Sequence, residues 1–319
     1  MRKGCISVSI RLSLATREFL VHQSAEGHSP RTIQWYDMCF RRFERFAGSD
    51  LDLDAALARL REYSIECQKS GLSSSSVAAY IRSMKALFLW SFEEGYLEKN
   101  PHRLIPKVKE RQRVPEPLTD AEIRRTVNAL PLPRSFTGAR NRTIFFLMFD
   151  TAIRLHEVPL IKISDLHLPE REIRLLGKGQ KERVIPISDS FLHELRRYLT
   201  FREALLQTKR REEERLFLTR TGSPLSLDGV RMAIRTIAKR SGVHVHPHKL
   251  RHTSAMKMSE NGIDAFSLQV ILGHSTMATT LRYVHAAKAK IGRRHNQWSP
   301  LEAEEKKKAP GPGPGAEDQ

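Results

Sequence analysis

Between residues 100 and 118 the chain carries Pro101, Pro106, Pro115 and Pro117 among five lysines and arginines. Proline lacks an amide donor and fixes its own φ, so no continuous helix or central strand runs through such a stretch. With 319 residues, and about 100–200 per domain, a separate core fits on each side. We therefore expect a first domain over 10–105, a linker over 106–118 and a second domain over 119–290. Residues 291–319 form a C-terminal segment. Its lysines 306–308 and Pro-Gly run 309–315 are too poor in apolar residues to pack, so disorder is expected from about 303.

The first domain reads as helical. Ser29-Pro30 is a cap followed by a first-turn proline, and Ile33, Tyr36, Phe40 and Phe43 then recur at helical spacing. Arg41, Arg42 and Arg45 fall largely on other faces, as solvated side chains or as nucleic-acid contacts. A second helix is expected from about Asp54 to Ser70. A third follows Ser73 with Val77, Tyr80, Ile81, Met84 and Phe88 as its apolar stripe. In the second domain Thr119 and Glu122 make a capping box. An apolar helix is expected from Arg142 to Asp150, then two short strands around Gly177-Lys178-Gly179-Gln180-Lys181, read as a hairpin. Helices follow at about 190–206, 227–240, 248–261 and 264–272. The fold class is mainly α with a small antiparallel β-sheet (α+β).

Charge narrows the partners. The formal net charge is +18, and residues 121–290 carry 30 basic and 16 acidic side chains, so most of the excess lies in the second domain. Such a balance favours a polyanion, most often nucleic acid. No apolar run approaches the ~18–20 residues of a membrane span, and arginines interrupt the apolar residues of positions 1–20, unlike a secretory leader. Cys5, Cys39 and Cys67 form no CxxC pair and no disulfide framework, which fits a reducing cytoplasm.

Four segments carry chemistry: Thr151-Ala152-Ile153-Arg154 with Glu157, Gly177-Lys178-Gly179, His248-Lys249-Leu250-Arg251-His252, and Leu272-Gly273-His274 followed by Tyr283. Each alone reads equally well as structural. Together they hold what phosphodiester chemistry without a metal requires. Arginines can clamp non-bridging oxygens in bidentate fashion. Histidines can move protons near neutral pH. A lysine on a turn can reach a leaving oxygen, and a tyrosine can attack phosphorus and hold a covalent intermediate. Of the six tyrosines, Tyr283 has the sequence surroundings least like a core, just after a short helix.

In these residues the chain resembles the tyrosine recombinases, the phage integrase family, with the organisation of its bacterial Xer-type members, over about residues 10–290. The family's ordered set of Arg, Lys, His-x-x-Arg, His and Tyr is filled by Arg154, Lys178, His248, Arg251, His274 and Tyr283. The gaps are 24 residues from Arg154 to Lys178, 23 from Arg251 to His274 and 9 from His274 to Tyr283. The resemblance implies a helical SAM-like core-binding domain followed by a catalytic domain. It implies Tyr283 as nucleophile, Arg154 and Arg251 on the phosphate, and Lys178 protonating the 5′ oxygen. It also implies His248 as general acid/base, His274 hydrogen-bonding the phosphate, and Glu157 supporting Arg154 from the same helix face. It implies site-specific recombination of double-stranded DNA through a 3′-phosphotyrosyl bond, without ATP, metal or other cofactor. The assembly implied is a homo- or hetero-tetramer on two sites, with an accessory recombinase as a further partner, in the bacterial cytoplasm at the nucleoid. The N-terminus and tail lean towards a mobile-element integrase or transposase. One departure is Ala152, where the family usually has glycine.

Three other readings compete. His244, His246, His248 and His252 have zinc-like crowding, but no cysteine lies near and Pro247 places two of them before a helix. A non-catalytic DNA-binding or architectural relative predicts loss of the nucleophile or an arginine. A type IB topoisomerase shares the chemistry but acts alone on one duplex.

Overall fold

The computed structural model of the chain describes residues 10–109, 116–176, 182–274 and 276–287. The expectations for Cys5, for Lys178 and its loop 177–181, for linker residues 110–115 and for the segment from 291 onward lie outside the described residues. The chain forms two compact units, Met1–Val114 and Pro115–Gln319.

The described part of the first unit is helical: α1 (Leu12–Ala25), α2 (Pro30–Ala47), α3 (Leu53–Ala58), α4 (Leu60–Lys69) and α5 (Ser74–Glu93). Helix α2 starts as its sequence dictates. The Ser29 side chain accepts the Thr32 amide at 3.2 Å, and Pro30 occupies the first turn, where its missing N–H has no partner to lose. Ser73 starts α5 in the same way, accepting the Ser76 amide at 3.2 Å. The core is aromatic. Phe43 meets Tyr63 edge-on at 5.0 Å between centroids and Phe19 meets Phe40 at 5.4 Å. Each ring so buried contributes about 1.5–3 kcal/mol. The single helix expected over 54–70 is two, α3 and α4, broken at Arg59, whose amide bonds to Ala56 O at 3.1 Å. Its guanidinium donates to Ala47 O at 2.8 Å and covers the Phe46 ring at 4.9 Å. Helix α1 has no side-chain cap, so its sequence carries no start signal.

In the second unit α6 (Asp120–Asn128) opens on the reciprocal Thr119–Glu122 capping box. Helix α7 (Phe136–Thr151) begins earlier than expected, capped by Ser135, and buries Gly138, Ala139, Ile144, Phe145, Leu147 and Met148. Strands β1 (Leu166–His167), β2 (Glu172–Leu176) and β3 (Glu182–Pro186) form an antiparallel sheet in that order. Helices α8 (Asp189–Lys209), α9 (Leu227–Ser241), α10 (Pro247–Glu260), α11 (Ala265–Leu272) and α12 (Met277–Ala287) complete it. The core gathers α7, α8, α9 and the inward face of the sheet, with Ile173, Ile185, Tyr198, Phe217 and Ile234 buried. A smaller cluster of Ala152, Ala255, Leu268, Leu272 and Tyr283 joins the end of α7 to α10, α11 and α12. Among the described residues no helix is long and apolar enough to cross a membrane.

Candidate active site

The site is built on chain reversals at two helix ends. Helix α7 stops at Thr151 because Ala152 turns left-handed, at φ 50 and ψ 27. That region costs an L-residue about 1–2 kcal/mol, and Ala152 is fully buried there. The chain then turns through Arg154, which is thus in the turn after the helix and not on it. Glu157 does not share a helix face with Arg154. Its Oε2 accepts the Arg154 backbone amide at 2.9 Å, and its Oε1 accepts Arg154 Nη1 at 3.4 Å. Helix α11 stops at Gly273, at φ +60, and a Cβ there would collide with the guanidinium of Arg183.

These two ends hold the arginines. Arg154 Nη2 donates to Gly273 O. Arg251, on the second turn of α10, donates from Nη1 to Ala152 O and from Nη2 to Leu272 O at 2.7 Å. All three acceptors are terminal carbonyls of α7 and α11 or of the residue just beyond, the partly negative ends of those helices. The cations are therefore oriented by backbone dipoles. Burial pushes Arg251 down to about 10, helped by repulsion from Arg154 and Arg183, which leaves it a cation at neutral pH.

Sequence reasoning missed Arg183. It lies on β3 with its side chain 11% exposed, and its Nη2 donates to Glu157 Oε2 at 2.7 Å. The signal was legible: Arg183 and Ile185 alternate on β3 with Ile187 just beyond its end, and both isoleucines are buried. An arginine in an inward register needs a buried partner.

His274 follows Gly273. Its Nε2 lies 3.3 Å from Arg251 Nη2 and its Nδ1 3.0 Å from Thr280 Oγ1. Arginine only donates, so Nε2 accepts and the Nδ1–H points to the threonine hydroxyl. Burial pulls His274 down to about 4, with Arg251 and Arg154 adding repulsion, so its imidazole is neutral at pH 7. Tyr283 is not after a helix but within α12, and it is buried at 8% exposure. Its polar sequence neighbours mislead because Leu281 and Arg282 point outward, while Thr280, one turn earlier, is fully buried beside it. The ring stacks on His274 at 6.4 Å and 17°, with His252 at 5.0 Å. Burial raises the Tyr283 pKa, and Arg251 and Arg282 only partly oppose this.

The structure thus brings Arg154, Glu157, Arg251, His274 and Tyr283 together. His248 stands on the first turn of α10, exposed, and lines a cavity of about 680 Å³ with Leu155, Asp228, Arg231, His244 and His246. His246 caps that helix, its Nδ1 accepting the Lys249 amide at 3.2 Å. Among the described residues no group of three or more His, Cys, Asp or Glu side chains could hold a metal. In the first unit Arg41 is exposed and pairs with Asp37 at 2.9 Å. Arg45 Nε donates to Arg41 O at 3.2 Å, and Arg42 covers the Tyr80 ring at 5.4 Å.

A profile of the phage integrase family matches residues 116–290. The chain is 29% identical over 303 residues to tyrosine recombinase XerC of Bacillus pumilus, covering 90% of this chain and 98% of the relative. It is 33% identical over 233 residues to tyrosine recombinase XerD of Staphylococcus haemolyticus, covering 72% and 78%. Its fold resembles that of the Tn1549 transposon integrase in complex with transposon right end DNA, with a TM-score of 0.72 at 17% identity, over 89% of this chain and 99% of that one. It also resembles XerH bound to a palindromic difH substrate, with a TM-score of 0.69 at 21% identity, over 90% and 84%.

Proposed function

The chain belongs to the phage integrase family and is a tyrosine recombinase, an enzyme of site-specific DNA recombination, and on that premise we propose how its residues divide the work. The Tyr283 hydroxyl attacks the scissile phosphate of one strand of duplex DNA. The new bond is a 3′-phosphotyrosine, the P–O bond to the 5′ carbon breaks, and the 5′-hydroxyl leaves. Arg154 and Arg251 meet the charge that grows on the non-bridging oxygens, the term that usually contributes most. His248 takes the tyrosine proton, a step made necessary by the raised pKa of the buried phenol. Lys178 gives a proton to the departing 5′ oxygen. When a phosphate draws Arg251 away, His274 can shift its proton to Nε2 and donate to the phosphate, since the Thr280 hydroxyl on Nδ1 both donates and accepts. A 5′-hydroxyl from the partner strand reverses the step, so bond energy is conserved without ATP.

The observation that carries this reading is the stacking of Tyr283 on His274 beside two arginines whose charge no carboxylate fully cancels. The assembly is a tetramer of like or mixed subunits on two DNA sites, acting at the bacterial nucleoid, with a mobile-element integrase or transposase as the favoured role. Arg41, Arg42 and Arg45 are proposed DNA contacts of the first unit. The test is a nicked suicide duplex incubated in EDTA with the unmutated chain and with Tyr283→Phe. A covalent protein–DNA adduct should form with the first and be absent with the second. An adduct that persists in Tyr283→Phe would move the nucleophile elsewhere.

A further inference from the structure

The proposed chemistry leaves one guanidinium of the cluster without a part. Arg183 enters on the second residue of β3, and its Nη2 binds the same Glu157 oxygen that accepts the Arg154 amide. A Cβ on Gly273 would collide with its Nη1, so the turn that carries His274 is shaped against this side chain. Its Nε is buried without an acceptor. Most buried donors are paired, and one that is not calls for an explanation. Here three guanidiniums, Arg154, Arg183 and Arg251, crowd one carboxylate, and burial and Arg154 both disfavour the charge on Arg183.

Resting on the roles given above to Arg154 and Tyr283, we infer that Arg183 is a positioning residue. It fixes Glu157 and the Gly273 turn, and through them the direction in which Arg154 and His274 face the phosphate.

The probe is a nicked suicide duplex bearing the sequence that the unmutated chain selects from a randomised library. Arg183→Met should bind it with unchanged affinity and form the adduct about 100-fold more slowly at saturating DNA, the penalty expected for a clamp misplaced by about 1 Å. Arg183→Lys, which keeps the charge but not the planar fork, should recover about ten-fold of that loss at the same affinity. Gly273→Ala should slow the adduct as well. An Arg183→Met variant that cleaves at the unmutated rate overturns the inference. So does a fall in rate and DNA affinity in step with no recovery by lysine. Where Arg183→Met fails to fold, Arg183→Lys decides alone: about ten-fold slower at unchanged affinity supports it, and the unmutated rate overturns it. No adduct with the unmutated chain would sink the recombinase roles themselves, a different failure from an adduct indifferent to Arg183.

Discussion

Among the described residues the first unit buries no charged side chain, and its buried polar groups are Thr16, Ser64, Ser83 and Ser91. The second unit buries Glu157, Glu194, Arg202, Arg251 and His252. The first is held by ring packing that needs nothing from a ligand. The second keeps ionised groups out of water, an arrangement that stabilises a fold poorly and serves chemistry well. The lesson is that both units have an apolar core, while among the described residues the buried charged groups are confined to the second.

Substitutions can break that division or sharpen it. The largest effects should come from one truncation in each unit. Phe43→Ala should lower the stability of the first unit by about 3–5 kcal/mol in urea unfolding, through lost burial and a cavity. A variant that refolds with the second unit's melting unchanged would confirm that the cores are separate. Glu157→Ala strands Arg154 and Arg183 in a buried setting and should lower the stability of the second unit by a similar ~3–5 kcal/mol, and adduct formation with it. Full activity in that variant would show that the carboxylate is structural only.

A smaller effect concerns acid. His274 titrates near 4 when folded and near the ordinary histidine value of about 6.5 when unfolded. Between those values the unfolded chain binds the extra proton, so stability falls as pH drops from about 6.5 to 4 and is constant above. His274→Asn should flatten this slope in thermal melts. An unaltered slope would assign it to other groups.

The smallest effect should be Ala152→Gly. Relief of the left-handed backbone gains about 1–2 kcal/mol. Against this stand about 0.5–1 kcal/mol of chain entropy and about 0.8 kcal/mol for a buried methyl. The balance is within about 0.8 kcal/mol of zero, so melting temperatures within a few degrees of each other are expected, and a larger shift either way would expose a role for the methyl group.

Legibility followed the same division. Helix α2 could be read from a cap and a stripe because both are local. The break at Arg59 could not, since Leu53, Ala56, Leu57, Leu60, Tyr63 and Cys67 are buried at one unbroken period. Four of the six ordered residues are gathered at one place, but their settings were misjudged. Arg154 sits in a turn because of the backbone sign at Ala152, and Tyr283 is buried because of which face of α12 turns inward. Both depend on tertiary packing, which no window of sequence contains. Arg183 was visible in strand alternation and lacked only a partner, Glu157, 26 residues away.

The acceptors that aim Arg154 and Arg251 are backbone carbonyls at Gly273, Ala152 and Leu272. Side-chain substitution cannot delete a carbonyl. The clamp can therefore survive drift at positions 152 and 272, though not at Gly273, provided the two helices still end where they do. Selection should act there on chain path more than on side-chain identity, and an alanine can hold position 152 without loss of the clamp.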